Sequence, residues 1–124
     1  MRGTVLALAA ACLALNAGIG HAQGDIDAGK RAFLKCKSCH SLDAGKSLTG
    51  PSLKGILGRK GAADPNYKYS QSLIDAGVTW DDAALDKYIT DPKTIIPKGK
   101  MSFAGIKDAK QRADLIAYLK EATK

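Results

Sequence analysis

The sequence has 124 residues and a formal net charge of +7, with hydrophobic residues at 45% and charged residues at 25%. That is the size of one domain near the low end for a self-sufficient core, which excludes a multidomain architecture. The basic excess fits attraction to an acidic partner as well as plain solubility, and no nucleic-acid motif accompanies it.

The first residues read as an export signal. Arg2 supplies positive charge, Val5 to Leu15 is apolar and alanine-rich, and Gly20-His21-Ala22 offers small residues where a signal peptidase reads. Cleavage after Ala22 divides the chain into a leader, 1–22, and a domain, 23–124. The apolar run is short of the ~20 residues of a membrane span, and no later stretch approaches one, so no stable membrane insertion is expected. Cys12 follows three alanines, which suits a lipoprotein signal. The apolar core continues past it, however, and export with cleavage into the periplasm is the reading adopted.

Within 23–124 the first helix is expected to start at the N-cap Asp25 and run through Phe33 to the cysteines. There follows Cys36-Lys37-Ser38-Cys39-His40, which contains the one histidine after the leader. Two thiols at this spacing beside an imidazole are what covalent haem attachment requires. Each thiol adds to a vinyl group, and the imidazole reaches the iron. A thioredoxin-like thiol site would need a βαβ context that is missing here, and zinc would need a fourth ligand. A disulfide would close too short a loop to stabilise much.

Residues 39–69 are rich in Gly, Pro, Ser and Asn without a period, a long loop that needs something to hold it. A haem lying against it would do so, and would supply the large apolar surface that a chain poor in aromatics lacks. A short helical turn is expected over Ser70–Ala76, stopping at Gly77. A further helix opens at Asp81 and Asp82, presents Leu85, Tyr88 and Ile89 on one face, and ends at Pro92. Lys93–Lys107 reads as irregular. It contains Pro97-Lys98-Gly99-Lys100-Met101-Ser102-Phe103, and Met101 is the one methionine after the leader. A polar loop offers a filler methionine no core, so Met101 is the candidate for the second axial position, with the adjacent Lys100 as the alternative. The last helix opens with Asp108 and Gln111 at capping-box spacing and carries Leu115, Ile116, Tyr118 and Leu119. Gly29 and Phe33 share a face of the first helix, as Leu115 and Tyr118 do of the last, which suggests that the terminal helices cross there. The class is all-α.

In this order the motifs resemble those of class I cytochromes c, the mitochondrial carrier and its bacterial periplasmic relatives. Besides the Cys36–His40 run, the resemblance takes in Thr49-Gly50-Pro51, Gly58-Arg59-Lys60, Thr79-Trp80, Tyr88, Asp91-Pro92-Lys93, Lys100-Met101, Phe103-Ala104-Gly105-Ile106 and Ala113 to Lys120. It implies a small cytochrome c fold with terminal helices crossing around one covalent haem c. Cys36 and Cys39 would carry the thioethers, and His40 and Met101 would ligate the iron. The Pro51 carbonyl would accept the other ring N–H of His40. Arg59, Tyr69 and Trp80 would surround a buried haem propionate, Tyr88 would lie near the Met101 sulfur, and Phe103 would cover one side of the haem edge. Four positions depart from the mitochondrial pattern. Leu73 stands for an asparagine, Gly99 for a threonine, Lys54 for a histidine and Leu48 for a lysine.

The function implied is that of a monomeric one-electron carrier and not an enzyme, because two axial ligands leave the iron no open site. The alternative is a haem enzyme or gas sensor with Met101 released. Lys35, Lys37, Lys93, Lys98, Lys100 and Lys107 are expected at the haem edge, where they would meet acidic redox proteins. On family grounds these are a cytochrome bc complex and a terminal oxidase, in respiration, or a photosynthetic reaction centre.

Overall fold

Five helices, α1 (Ile26–Phe33), α2 (Gln71–Ala76), α3 (Asp82–Thr90), α4 (Pro92–Ile95) and α5 (Ala109–Ala122), order residues 24–124, the part of the chain that the computed structural model describes. The expected leader and its cleavage point lie outside the described residues. Among the described residues there is no strand, only isolated bridges between His40 and Ser47 and between Lys60 and Thr79, in line with the all-α expectation. No helix among them is long and apolar enough to cross a membrane.

Each helix begins where a side-chain oxygen takes up an otherwise orphaned N–H. Asp25 accepts from Asp27 and Ala28, at 2.9 and 3.2 Å. Ser70 accepts from Leu73 at 3.1 Å, Asp81 from Ala84 at 2.8 Å, and Asp108 from Gln111 at 3.0 Å. Gly77 closes α2 in the left-handed conformation, φ 57°. One element departs from the sequence expectation. Pro92 does not merely end α3; it opens α4, so residues 92–95 are helical rather than irregular. Asp91 sits extended between the two helices and accepts the Lys93 N–H at 3.1 Å. In a first turn, proline has no N–H to leave unpaired.

The terminal helices cross at Gly29. A Cβ there would lie 1.9 Å from the Asp114 carbonyl oxygen and 2.7 Å from Tyr118 Cβ, so only glycine lets the backbones approach this closely. Phe33 and Tyr118 close the crossing with ring centroids 5.5 Å apart. Asp114, buried at 4% exposure, ties the pair at one end. Its carboxylate accepts the Asp25 N–H at 2.8 Å and the Lys110 ammonium at 2.9 Å.

The long loop of residues 39–69 is held by the protein itself at many points. Gly50 N–H donates to the Cys39 carbonyl at 2.8 Å and Leu53 N–H to Ser41 at 2.9 Å. Gly58 and Trp80 exchange with one another's neighbourhood, Gly58 N–H to Trp80 O and Trp80 N–H to Arg59 O, both at 2.8 Å. The Tyr67 hydroxyl donates to the Thr49 carbonyl at 2.8 Å. These ties bend the loop into one wall of a cavity whose floor is the core of Leu85, Ile89, Leu115 and Leu119.

Candidate functional site

The turns that follow α1 place the motif residues together. Cys36 N–H donates to Phe33 O at 2.8 Å, and Cys39 and His40 N–H both donate to Cys36 O, at 3.1 and 2.9 Å. Both thiols and the imidazole thereby face one cavity of about 320 Å³. Burial pushes the Cys36 thiol up, against the opposing pull of Lys35.

The His40 ring is fixed on two sides. Its Nδ1 lies 2.8 Å from the Pro51 carbonyl oxygen. A carbonyl can only accept, so Nδ1 carries the proton and the Nε2 lone pair is left for a metal. Gly50 packs on the ring, since a Cβ there would stand 2.4 Å from Cε1. Burial lowers the pKa of His40, outweighing the Pro51 hydrogen bond, and keeps the ring neutral as a ligand must be.

Met101 reaches the same cavity from the loop after α4. The Tyr88 hydroxyl donates to its sulfur at 3.5 Å, and burial raises the Tyr88 pKa, so the donor stays protonated. Tyr88 is itself backed by Trp80, with ring centroids 4.8 Å apart. Pro51, Arg59, Tyr69, Trp80, Tyr88 and Phe103 all line this cavity with the two cysteines, His40 and Met101, so every residue expected at the cofactor is brought to it. Leu73 and Gly99, two of the departures noted above, line it too.

The six lysines expected at the haem edge separate into two kinds. All six are exposed. Lys100 donates to the Lys68 carbonyl at 2.9 Å and Lys107 to the Thr90 carbonyl at 2.8 Å, so both hold backbone as well as presenting charge. Of the six, Lys35 and Lys100 line the cavity. Sequence reasoning missed Tyr67, which also lines it and packs edge-on against Tyr69 at 4.9 Å. The two-residue spacing of the tyrosines in an irregular loop was the available signal.

A haem fits these residues. The cavity is walled mostly by aliphatic and aromatic side chains and receives two thiols, an imidazole nitrogen and a thioether. Arg59 supplies a further sign. Its two terminal nitrogens donate to the Lys54 and Ser52 carbonyls, each at 2.9 Å, while its Nε is buried with no hydrogen-bond partner. A buried guanidinium N–H without an acceptor is costly unless an acceptor is supplied, and a haem propionate is one.

The comparisons with known proteins agree. The family model described as Cytochrome c matches residues 26–123. The chain is 52% identical over 96 residues to cytochrome c2 iso-1 of Magnetospirillum molischianum, covering 76% of this chain and 96% of that protein. It is 38% identical over 120 residues to cytochrome c2 of Rhodomicrobium vannielii, covering 96% and 95%. Among solved structures it is similar to cytochrome cH from Methylobacterium extorquens, with a TM-score of 0.74 and 45% identity over 78% of this chain and 98% of that one. Sequence, fold and site therefore converge, and the chain belongs to the cytochrome c family of electron carriers, with a single haem held covalently through Cys36 and Cys39.

Proposed function

We propose that this cytochrome c is a periplasmic shuttle that carries one electron at a time between membrane redox complexes, with His40 and Met101 as the axial ligands of its haem. The observation that carries the reading is the convergence of a neutral, Pro51-oriented His40 and a Tyr88-tied Met101 on the cavity that also receives Cys36 and Cys39. When bound, the haem supplies a one-electron iron couple, and His/Met ligation favours the ferrous state.

The chain's own residues do the rest. Pro51 and Gly50 fix the imidazole, Tyr88 holds the thioether, and the apolar walls exclude water, which further disfavours the extra charge of the oxidised state. Arg59, Tyr69 and Trp80, which line the same cavity, would surround a propionate, and Phe103 would cover an edge. Cleavage after Ala22 and export to the periplasm are supported by the leader pattern of Arg2, the apolar run Val5 to Leu15 and Gly20-His21-Ala22. A cytochrome bc complex as donor, and a terminal oxidase or photosynthetic reaction centre as acceptor, suit an exported basic carrier with exposed lysines at Lys35, Lys37, Lys93, Lys98, Lys100 and Lys107.

A potentiometric titration of the purified holoprotein tests the carrier reading. A reversible one-electron wave at positive potential, with no peroxidase turnover at neutral pH, is expected. Substantial peroxidase turnover by the native protein would instead mean that the sixth site opens and that the chain works as a haem enzyme.

A further inference from the structure

The turn that grips Arg59 is hydrogen-bonded to the far end of the chain. The Arg59 guanidinium is gripped by two carbonyls, those of Ser52 and Lys54, and these grips leave Nε turned to no partner in the protein. The two carbonyls belong to one short turn, and that turn is fixed from inside and from outside. Inside, the buried Ser52 hydroxyl donates to the Asp43 carbonyl and accepts the Lys54 N–H at 3.2 Å. Outside, Gly55 N–H donates to the Thr123 carbonyl at 2.6 Å, and the Lys54 ammonium donates to the Lys124 carbonyl.

Thr123 is a firm anchor. It is 2% exposed, and its hydroxyl and its N–H both donate to the Leu119 carbonyl, at 2.7 and 3.0 Å, so the last turn of α5 is locked. A guanidinium donates from a rigid planar fork, so two grips determine the direction of the third donor. A small shift of either carbonyl therefore re-aims Nε.

We propose that Ser52, with the mooring of Lys54 and Gly55 to Thr123 and Lys124, is a positioning frame that sets the redox potential by aiming Arg59 Nε at the carboxylate of the bound cofactor. The inference rests on the reading of Arg59 as the partner of that carboxylate. Ser52 and Lys54 act through Arg59. A well-aimed cation beside the cofactor disfavours the oxidised, more positive iron, so loosening the frame lowers the potential.

The test is a double-mutant cycle on the holoprotein, read as reduction potential, with the far-red sulfur–iron absorption band as a check that Met101 stays in place. Ser52→Ala changes no charge, and it is expected to lower the potential by a resolvable part of the shift that Arg59→Ala produces. In the Arg59→Ala background Ser52→Ala is expected to produce no further shift. Lys54→Met removes a charge as well as a tie, so its shift should be larger with Arg59 present than with Ala at that position. Equal shifts in the two backgrounds, or none from Ser52→Ala while Arg59→Ala shifts the potential, overturn the frame and leave the Arg59 reading standing. If Arg59→Ala itself leaves the potential unmoved, both fall. Should Ser52→Ala prove too unstable to hold haem, Lys54→Met on the surface carries the same cycle.

Discussion

Gly29 and Asp114 meet where α1 crosses α5, so closely that the glycine's missing Cβ would stand 1.9 Å from the Asp114 carbonyl oxygen. Replacing a helical glycine by alanine ordinarily gains up to ~1 kcal/mol of helix propensity. Here the clash is with backbone, which cannot swing aside, and overpacking of this kind costs about 1–3 kcal/mol or more. Gly29→Ala is therefore expected to destabilise, and denaturant unfolding measures it. A stabilised variant would show that the crossing is looser than described.

Asp114 also makes the crossing sensitive to acid. Its hydrogen bond to Lys110, followed by that from the Asp25 N–H, holds its carboxyl below the usual carboxylate value of about 3.9. A depressed folded-state pKa means stability that is present above the unfolded value and lost as pH falls through the folded one. Asp114→Asn is expected to be less stable than the parent at neutral pH, with the difference shrinking below pH ~4. Unfolding midpoints at several pH values check this. A constant difference down to strongly acidic pH would contradict it.

Tyr88→Phe removes the hydrogen bond that the Tyr88 hydroxyl gives to the Met101 sulfur. A neutral bond of this sort contributes about 0.5–1.5 kcal/mol. Without the donor, the sulfur lone pairs are more available to the iron, which favours the oxidised state. The far-red band is expected to persist and the potential to fall. An unchanged potential would mean that the hydroxyl only fills space.

The lysines should divide by their bonds. Replacing Lys35, Lys37, Lys93 or Lys98 by alanine is expected to slow reaction with an acidic redox partner at low salt and leave unfolding unchanged. Lys100→Ala and Lys107→Ala remove ties to the Lys68 and Thr90 carbonyls, so they should lower stability as well. Stopped-flow rates across a salt series, with unfolding curves alongside, separate the two sets. Rates that do not vary with ionic strength would sink the lysine-docking idea.

Much of the molecule was legible in the sequence because its signals are local. Asp25, Ser70, Asp81 and Asp108 announce helix starts within three residues, and Cys36, Cys39 and His40 share one turn. What stayed hidden depends on distant partners. Asp114 lies four residues after Lys110, and only its meeting with the α1 N-terminus, where it accepts the Asp25 N–H, shows it as a buried tie. Lys54 finds Lys124 seventy residues on, as Gly55 finds Thr123, and no local pattern marks such a meeting. Pro92 was a matter of two compatible rules. A proline ends one helix as readily as it opens the next, and the Asp91 side chain on the Lys93 N–H decided between them.

The assignment of His40 and Met101 to one iron is tested most directly by the absorption spectrum of the oxidised holoprotein, produced in a host that exports it and attaches haem. A weak far-red sulfur–iron band is expected, present in the parent and lost in Met101→Ala with the haem still bound. A haem protein without that band, or one in which Met101→Ala retains it, would contradict the assignment and leave the sixth position open or held by another side chain such as Lys100.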